Sequence, residues 1–325
     1  MSGQIVYVAL QQFCEQDDRP RTLMEAGGFE VRRNALGRRL RREEMAEALR
    51  DADAVLAGVE PYEGPLLAQL PRLRCISRCG VGTDAIDLEA ARRHGIAVCT
   101  TPDETVEPVA QLTVAMVLAL ARHLPLHLAD FRAGVWKKRT GALLSEWTIG
   151  LVGFRRIGRA VERCLRVFGP RILVSDPRAG EAGLPDGVER VELATLLAEA
   201  DLVSLHAGRR PEDGPLMGGR EFEMMKHGSY LVNTSRGFLV DEAALSDALI
   251  SGRLAGAALD VFASEPYTGI LSTLPQVLCT PHVATLTRAS RAAMEWRCAK
   301  NVVDYFSRSA ASVQPKGQVE VGETR

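Results

Sequence analysis

The feature that most constrains the fold is a strand, a glycine turn and an amphipathic helix between Thr148 and Gly169, in the sequence TIGLVGFRRIGRAVERCLRVFG. A short apolar strand runs into Gly153, and the helix that follows begins near Ile157. The apolar residues of the helix recur at the spacing of one helical face: Ile157, Ala160, Val161, Cys164, Leu165 and Phe168. A second strand ends at Asp176, about 20 residues after the turn. This order predicts a βαβ unit with a nucleotide-binding turn.

Strands and helices alternate along the rest of the chain, which is typical of parallel sheets covered by helices on both faces. Five short apolar segments lie before residue 100: Ile5–Ala9, Phe29–Val31, Ala54–Leu56, Cys75–Ser77 and Ile96–Cys99. Six more follow Trp147: Ile149–Gly153, Ile172–Ser175, Leu202–Leu205, Tyr230–Asn233, Ala257–Asp260 and Val277–Thr280. Six parallel strands with crossover helices fit a dinucleotide-binding sheet. The predicted fold class is therefore α/β, with two doubly wound parallel-sheet domains.

Three segments lie outside this alternation of strands and helices. Residues Glu107–Leu124 are apolar almost all round, which predicts a buried helix. Residues Pro125–Glu146 have no clean period, and we expect an arm there that contacts a second subunit. Residues Arg288–Phe306 have the pattern of a helix, and we expect the polar tail after it to be frayed.

Composition excludes several classes of protein. Hydrophobic residues make up 46% of the chain and charged residues 25%, which is typical of a globular protein. The net charge of −1 gives no basic field, so we expect neither nucleic acid nor a membrane as a partner. The seven Cys are scattered without metal-ligand spacing, so we expect no metal. With no recognisable signal peptide at its start, the chain is expected to be cytoplasmic.

The glycine turn departs from the usual GxGxxG pattern at one position. Its first and third glycines are Gly153 and Gly158, but Arg155 stands at the second, where the backbone normally approaches a pyrophosphate. The carboxylate of Asp176 favours NAD, because it would bind a ribose 2′-hydroxyl and repel a 2′-phosphate. Arg178 can pair with such a phosphate, so NADP is less favoured but stays open.

Three charged or titratable residues follow successive predicted strands in the second half of the chain. Arg236 lies in LVNTSRG, Glu265 in ALDVFASEP and His282 in LCTPH. The carboxyl ends of parallel strands face one crevice, so these side chains can converge there. An arginine can bind a carboxylate through two hydrogen bonds. A histidine can exchange a proton with a carbonyl or hydroxyl oxygen, and a neighbouring carboxylate would orient it.

These motifs, with GVGTDAIDLEAA near the middle of the first half, resemble the D-isomer-specific 2-hydroxyacid dehydrogenases over roughly Leu73 to Phe306. The resemblance implies hydride transfer between NAD(H) and a small anionic 2-hydroxy or 2-keto acid. It gives Arg236, Glu265 and His282 the catalytic roles. It implies that Cys79, Gly80, Val81, Gly82 and Arg236 bind the substrate. The expected cofactor-binding residues are Gly153, Arg155, Arg156, Ile157, Gly158, Asp176, Arg178, His206, Ala207, Thr234, Ser235 and Asp260, the last of these at the nicotinamide carboxamide.

The resemblance also implies how the domains are organised. Residues 1–101 and 285–325 would form a flavodoxin-like substrate domain, and residues 102–284 a Rossmann cofactor domain inserted into it. Hinges would lie near Thr101–Pro102 and Ala284–Thr285. An arm at about residues 125–147, which includes Trp136, would pair two chains into a homodimer.

Several alternatives remain open from the sequence. Candidate substrates are phosphoglycerate, glyoxylate or hydroxypyruvate, lactate-like acids and phosphonate analogues, and the choice depends on Val59–Tyr62, Cys79–Thr83 and the residues next to Pro102. A dinucleotide-sensing scaffold, like the corepressors of this family, is a second reading, which the altered glycine turn favours. Gly208, where the family has proline, is a further departure beside the cofactor. The phosphite-oxidising branch is disfavoured, because RCGVGTD contains no lysine.

Overall fold

The computed structural model describes residues 3–179, 183–208 and 211–311. The chain divides into two compact units. Unit 1 comprises Met1–Thr105 together with Leu286–Arg325, and unit 2 comprises Val106–Thr285. Each unit has its own parallel sheet, with apolar clusters on both faces of that sheet.

Unit 1 contains a five-stranded parallel sheet in the order β2-β1-β3-β4-β5. Its elements are β1 Gln4–Val8, α1 Arg19–Ala26, β2 Phe29–Arg33, α2 Arg42–Ala48, β3 Ala54–Ala57, α3 Gly64–Leu67, β4 Cys75–Arg78, α4 Leu88–Arg93, β5 Ala97–Cys99 and, from the end of the chain, α11 Arg288–Ala311. This strand order is that of flavodoxin-like folds. Alternate residues of the central strands point to opposite faces, so that Val6, Val8 and Leu56 pack beneath α11 while Val55 and Ala57 face the other helices.

Unit 2 contains a seven-stranded parallel sheet in the order β12-β11-β10-β9-β6-β7-β8. Its elements are α5 Val106–Ala121, α6 Leu124–Arg132, β6 Thr148–Val152, α7 Arg156–Leu165, β7 Arg171–Ser175, β8 Val188–Arg190, α8 Leu193–Glu199, β9 Leu202–Leu205, α9 Gly219–Met224, β10 Ser229–Asn233, α10 Glu242–Ile250, β11 Leu254–Leu259 and β12 Val277–Cys279. Strand β7 pairs with one side of β6, and the chain then crosses over so that β9 pairs with the other side of β6. This is the Rossmann order with a seventh strand, and the switch point lies between β6 and β9. The α/β class with two doubly wound sheets is confirmed.

Helix α5 is the buried helix predicted for Glu107–Leu124. Met116, Val117 and Leu120 are almost inaccessible to solvent, in a cluster that also contains Val161 and Leu165 of α7. Burial of this apolar surface stabilises unit 2. Among the described residues no single helix is long and apolar enough to cross a membrane, and α5 passes that test only when joined to α6 across a 66° bend.

Three elements differ in detail from what the sequence indicated. Strand β8 was not predicted, because its short sequence Val-Glu-Arg is polar and forms the edge of the sheet, where one neighbour is enough. The segment Pro125–Glu146, in which no clean period was found, contains most of α6, whose residues are exposed or half-buried, so that no buried face gives it a clear period. Helix α11 continues five residues beyond Phe306 to Ala311, and the rest of the predicted frayed tail lies outside the described residues.

Candidate active site

The glycine turn brings two backbone segments of unit 2 into close contact at the switch point. Gly153 has a φ of 93°, and a Cβ there would lie 2.6 Å from the Ala207 nitrogen and from the carbonyl atoms of His206. A Cβ at Gly158 would overlap the Gly153 carbonyl oxygen. The loops after β6 and β9 therefore meet with no room for side chains at either glycine, and the first turn of α7 packs directly on the bend.

Arg155 takes the second glycine position without backbone strain. Its φ of −91° and ψ of −150° lie in the extended region open to any residue. The residue is exposed and precedes the ten-residue helix α7, which begins with exposed Arg156 and half-buried Ile157. Two guanidinium groups thus lie at the N-terminal end of α7, where the helix dipole already favours an anion.

Asp176, directly after β7, links the glycine turn to the loop after β7 through its two carboxylate oxygens. Its Oδ2 accepts a hydrogen bond of 2.7 Å from the backbone amide of Phe154, and its Oδ1 accepts one of 2.8 Å from the amide of Arg178. Each oxygen retains a lone pair for a further donor. Asp176 therefore fixes the turn and can still bind a hydroxyl group. The side chain of Arg178 is exposed on the same edge of the sheet.

His206, after β9, contains a buried nitrogen that lacks a partner. Its Nε2 shares a hydrogen bond of 3.0 Å with Ser204 Oγ, whereas Nδ1 has no partner among the described residues. Burial lowers the pKa of His206 to about 4, so the ring is neutral at neutral pH. A buried polar nitrogen without a partner is costly, and a bound ligand at this point would satisfy it.

The loop after β10 is held by its own side chains. Thr113 of α5 donates to the Val109 carbonyl, so Thr234 is the donor in the 2.8 Å bond between the two threonine hydroxyls. Ser235 Oγ donates to the Ala207 carbonyl, 3.1 Å away, and thereby ties this loop to the one after β9. The half-buried Arg236 follows, and its Nη1 donates to the Ser235 carbonyl at 2.8 Å.

Gly237 determines how closely the loops after β10 and β11 approach. A Cβ at this position would overlap the Phe262 carbonyl group and the Ala263 nitrogen. Only glycine allows this approach, which carries Arg236 towards the loop that bears Glu265. In the sequence, Gly237 is visible only as the last residue of the LVNTSRG motif, and its packing role is not apparent there.

Asp260 organises the loop that carries His282. The carboxylate is completely buried and accepts hydrogen bonds from Thr280 Oγ1 at 2.6 Å and from the amides of Val283 and Ala284 at 2.8 and 3.0 Å. The backbone carbonyl of Asp260 accepts a further bond from the His282 amide at 2.9 Å. Three charge-assisted bonds hold the loop in one conformation, including His282 at a φ of 54°.

The side chains of His282 and Glu265 form a hydrogen-bonded pair. His282 Nδ1 lies 2.9 Å from Glu265 Oε2, and Glu265 Oε1 accepts the Phe262 amide at 3.2 Å. An ionised carboxylate only accepts, so Nδ1 carries the proton and Nε2 is the nitrogen that faces other partners. The imidazole is 43% exposed, which leaves Nε2 available to a ligand.

In unit 1 the predicted substrate loop Cys79–Thr83 follows β4. Cys79 is buried, and its amide donates to the Ala57 carbonyl at the end of β3. Gly80 has a φ of 140°, and its amide donates to Thr101 Oγ1 at 2.8 Å. The amides of Val81 and Gly82 donate no hydrogen bond to any residue that the structure describes. Two successive amides without a partner can donate to one anion.

Comparison with known proteins assigns this arrangement to a family. The family model "D-isomer specific 2-hydroxyacid dehydrogenase, NAD binding domain" matches residues 114–284, which include the glycine turn and all three strand-end loops. The chain belongs to the D-isomer specific 2-hydroxyacid dehydrogenase family. As a member it is an NAD-dependent oxidoreductase that acts on 2-hydroxy or 2-keto acids.

Individual relatives of this dehydrogenase have different substrates in their names. A glyoxylate reductase from Thermococcus litoralis is 38% identical over 80% of this chain and 82% of its own. A D-3-phosphoglycerate dehydrogenase from Mycobacterium tuberculosis is 36% identical over 76% of this chain, which spans only 48% of that relative. The crystal structure of a D-lactate dehydrogenase from Aquifex aeolicus, complexed with NAD and lactic acid, superposes with a TM-score of 0.82 at 25% identity, over 96% of this chain and all of the other.

The dehydrogenase structure also shows supporting residues that the sequence did not predict. Thr113 and Gly237 support the site without belonging to it, and Asp260 is an anchor of the His282 loop as well as an expected cofactor ligand. In the sequence, the glycine directly after Arg236 was the one available signal for the close contact between the loops after β10 and β11. Within residues 3–179, 183–208 and 211–311, no group of three or more His, Cys, Asp or Glu side chains is placed to hold a metal ion.

Proposed function

We propose that this dehydrogenase reduces a small, unphosphorylated 2-keto acid with NADH to the corresponding 2-hydroxy acid, and catalyses the reverse oxidation. The observation that carries the proposal is the 2.9 Å pair between His282 and Glu265, on a loop fixed by the buried carboxylate of Asp260. A histidine whose Nδ1 is held by a carboxylate presents Nε2 for proton transfer, as carbonyl reduction requires.

Each of the three predicted catalytic residues has one role in this proposal. Arg236 binds the substrate carboxylate through its guanidinium group and polarises the neighbouring carbonyl. His282 donates a proton from Nε2 to the carbonyl oxygen, or accepts it in the oxidation. Glu265 holds the imidazole through the hydrogen bond to Nδ1, which leaves Nε2 for the substrate. The hydride for the carbonyl carbon would come from NADH when it is bound.

The residues around the glycine turn fit a dinucleotide. Gly153 and Gly158 allow the tight turn and the close packing of α7 on it, and the N-terminus of α7 with Arg155 and Arg156 favours the charge of a pyrophosphate. The unpartnered Nδ1 of His206 gives a polar ligand a partner in the same cleft. We assign the cofactor as NAD rather than NADP because Asp176 keeps acceptor capacity for a ribose hydroxyl and would repel a 2′-phosphate.

The loop after β3 supports a substrate without a phosphate group. Glu60 is buried there, and its Oε2 accepts the Gly58 amide at 3.0 Å, so the loop contributes a carboxylate at the carboxyl end of the sheet in unit 1. A second anion close to it would be repelled. In the same unit, the free amides of Val81 and Gly82 suit the single carboxylate of a glyoxylate-like acid. The name of the Thermococcus relative agrees with this class.

We also propose that the arm at residues 125–147 pairs two copies of the chain. The rings of Phe131 and Trp136 contact each other at a tilted angle with 70% and 81% of their surfaces exposed, and Leu124, Leu128 and Leu143 of the same segment or next to it are exposed too. Large apolar side chains clustered on one surface are typical of a protein interface.

A substrate panel tests the proposed activity. The purified protein is mixed with NADH or NADPH and with glyoxylate, hydroxypyruvate, pyruvate or 3-phosphohydroxypyruvate, and oxidation of the cofactor is followed by its absorbance. We expect the highest kcat/KM with NADH and one of the three unphosphorylated acids. A preference for the phosphorylated acid would overturn the substrate class. Tight NADH binding with no turnover of any acid would favour the dinucleotide-sensing scaffold.

A further inference from the structure

We infer that Arg291 and Glu295 of α11 are positioning residues for the substrate: their buried ion pair fixes the Cys79–Thr83 loop, whose free amides would bind the substrate carboxylate. The inference rests on the proposed function for the identity of the ligand. Neither residue belongs to the motifs that predicted the site, and both lie more than 200 positions from the loop along the chain.

Arg291 connects three parts of unit 1 through its guanidinium group. Its Nη1 donates to the Cys79 sulfur at 3.6 Å, and its Nη2 donates to the Gln12 carbonyl at 2.9 Å and to Glu295 Oε1 at 2.7 Å. The side chain is only 18% exposed. A planar guanidinium that bonds in several directions at once holds its neighbours in a fixed geometry, which the single ammonium of lysine cannot reproduce.

Glu295 fixes the arginine in turn and holds the loop after β1. Its Oε2 accepts the amide of Cys14 at 2.9 Å, at a residue with a φ of 58°. Its carboxylate is 4% exposed, and burial raises the pKa of Glu295, opposed by the Cys14 amide and by Arg291. Removing either partner would leave a buried charge uncompensated, so the two act as a unit.

Arg291 contacts Cys79, which lies only two and three residues before the amides of Val81 and Gly82 in the chain. The Cys79 amide is tied to Ala57 and the Gly80 amide to Thr101, so these bonds fix the loop from the side of the sheet. Arg291 holds the Cys79 side chain from the opposite element, α11. Val81 and Gly82 follow directly and have no anchor of their own among the described residues. Their position therefore depends on how firmly Cys79 and Gly80 are held.

Substitution of Arg291 tests this role through kinetics. We expect Arg291→Met to raise the KM for the keto acid about tenfold while kcat changes less than about twofold, since the chemistry on unit 2 is untouched. The KM for NADH should stay constant. Arg291→Lys should restore part of the loss, and Glu295→Gln, which keeps an acceptor for Cys14, should produce a smaller rise. Arg297→Met is the matched control, because Arg297 is exposed on the same helix.

Hydrogen–deuterium exchange of the peptide that covers Cys79–Thr83 provides a measurement that does not depend on turnover. We expect the hydrogen-bonded amides of Cys79 and Gly80 in this peptide to exchange about tenfold faster in Arg291→Met than in the parent or in Arg297→Met, and less than tenfold faster in Arg291→Lys, at equal melting temperature. Unchanged exchange in both Arg291 variants would overturn the inference, as would equal kinetic changes in the Arg291 and Arg297 variants. A parent that turns over no keto acid would refute the proposed function alone, and the exchange rates would still decide whether Arg291 holds the loop.

Discussion

Two regions of unit 2 lie at the same edge of one sheet but are built by different means. The glycine turn at Gly153–Gly158 is a contact between backbones, where added carbon atoms would overlap carbonyl groups. The loops that carry Arg236, Glu265 and His282 are held mainly by side-chain hydrogen bonds, above all those of Asp260, although Gly237 adds one close backbone contact. Shape therefore limits substitution in the first region, whereas lost polar partners limit it at most positions of the second.

The largest expected effect comes from the second region. His282→Ala removes the proposed proton donor, so turnover should fall by about 10² to 10⁴-fold. The affinity for NADH should hardly change, because the contacts at the glycine turn remain. Steady-state kinetics and a fluorescence titration with NADH measure the two quantities. Turnover near the parent's value at neutral pH would remove His282 from the mechanism.

The next effect tests shape in the first region. Gly158→Ala places a methyl group against the Gly153 carbonyl oxygen, and overpacking of this kind lowers the free energy of unfolding by about 1–3 kcal/mol or more. NADH affinity should fall with it. Urea denaturation measures the change, and Gly219→Ala is the control, because a Cβ there meets nothing within 4 Å. Equal stability of the two variants would contradict the backbone contact.

His206, which lies beside the glycine turn, should make the free energy of unfolding depend on pH. Its pKa is held near 4 in the folded protein by burial, below the ordinary value of 6.5, so the unfolded chain binds the additional proton between these values. The free energy of unfolding should therefore fall as pH drops from about 6.5 to about 4. In His206→Gln this fall should be smaller. Urea titrations at pH 7 and pH 5 measure it, and the exposed His94→Gln serves as control.

A smaller effect is expected for Glu265→Gln. The glutamine keeps an acceptor for His282 Nδ1 but removes the negative charge beside the ring. The imidazole therefore stays in place, and kcat for keto-acid reduction should fall less than in His282→Ala. Steady-state kinetics of Glu265→Gln and Glu265→Ala measure this, because the alanine variant loses the hydrogen bond as well. Equal kcat values in the two variants would mean that the hydrogen bond to His282 does not contribute.

The smallest effect is expected for Arg155→Gly. Arg155 has an ordinary extended backbone and an exposed side chain, so the turn does not need glycine there. We expect NADH affinity to change by no more than about tenfold, or roughly 1.4 kcal/mol, in either direction. Quenching of protein fluorescence measures it. If the parent binds no dinucleotide and this variant binds one tightly, Arg155 has disabled the site and the enzymatic proposal fails.

Local patterns along the chain were sufficient for much of the fold and for the pair at the site. The apolar spacing predicted α7 to begin at Ile157, one residue after its observed start, and the strand ends located His282 and Glu265. The supporting contacts could not be predicted. Thr113 meets Thr234 across 121 residues, and Asp260 binds amides more than 20 positions away. Such pairs depend on how strands are ordered in the sheet, which periodicity does not encode.

The placement of α11 has a consequence for synthesis. This helix covers the face of the unit 1 sheet that carries Val6, Val8 and Leu56, but it is translated after all of unit 2. Residues 100–287, 188 in all, separate β5 from α11, which takes the ribosome roughly 10–40 s at about 5–20 residues per second. During that interval the nascent chain exposes an apolar sheet face, while the contiguous unit 2 can already fold. The first part of the chain to be made is therefore the last to be completed.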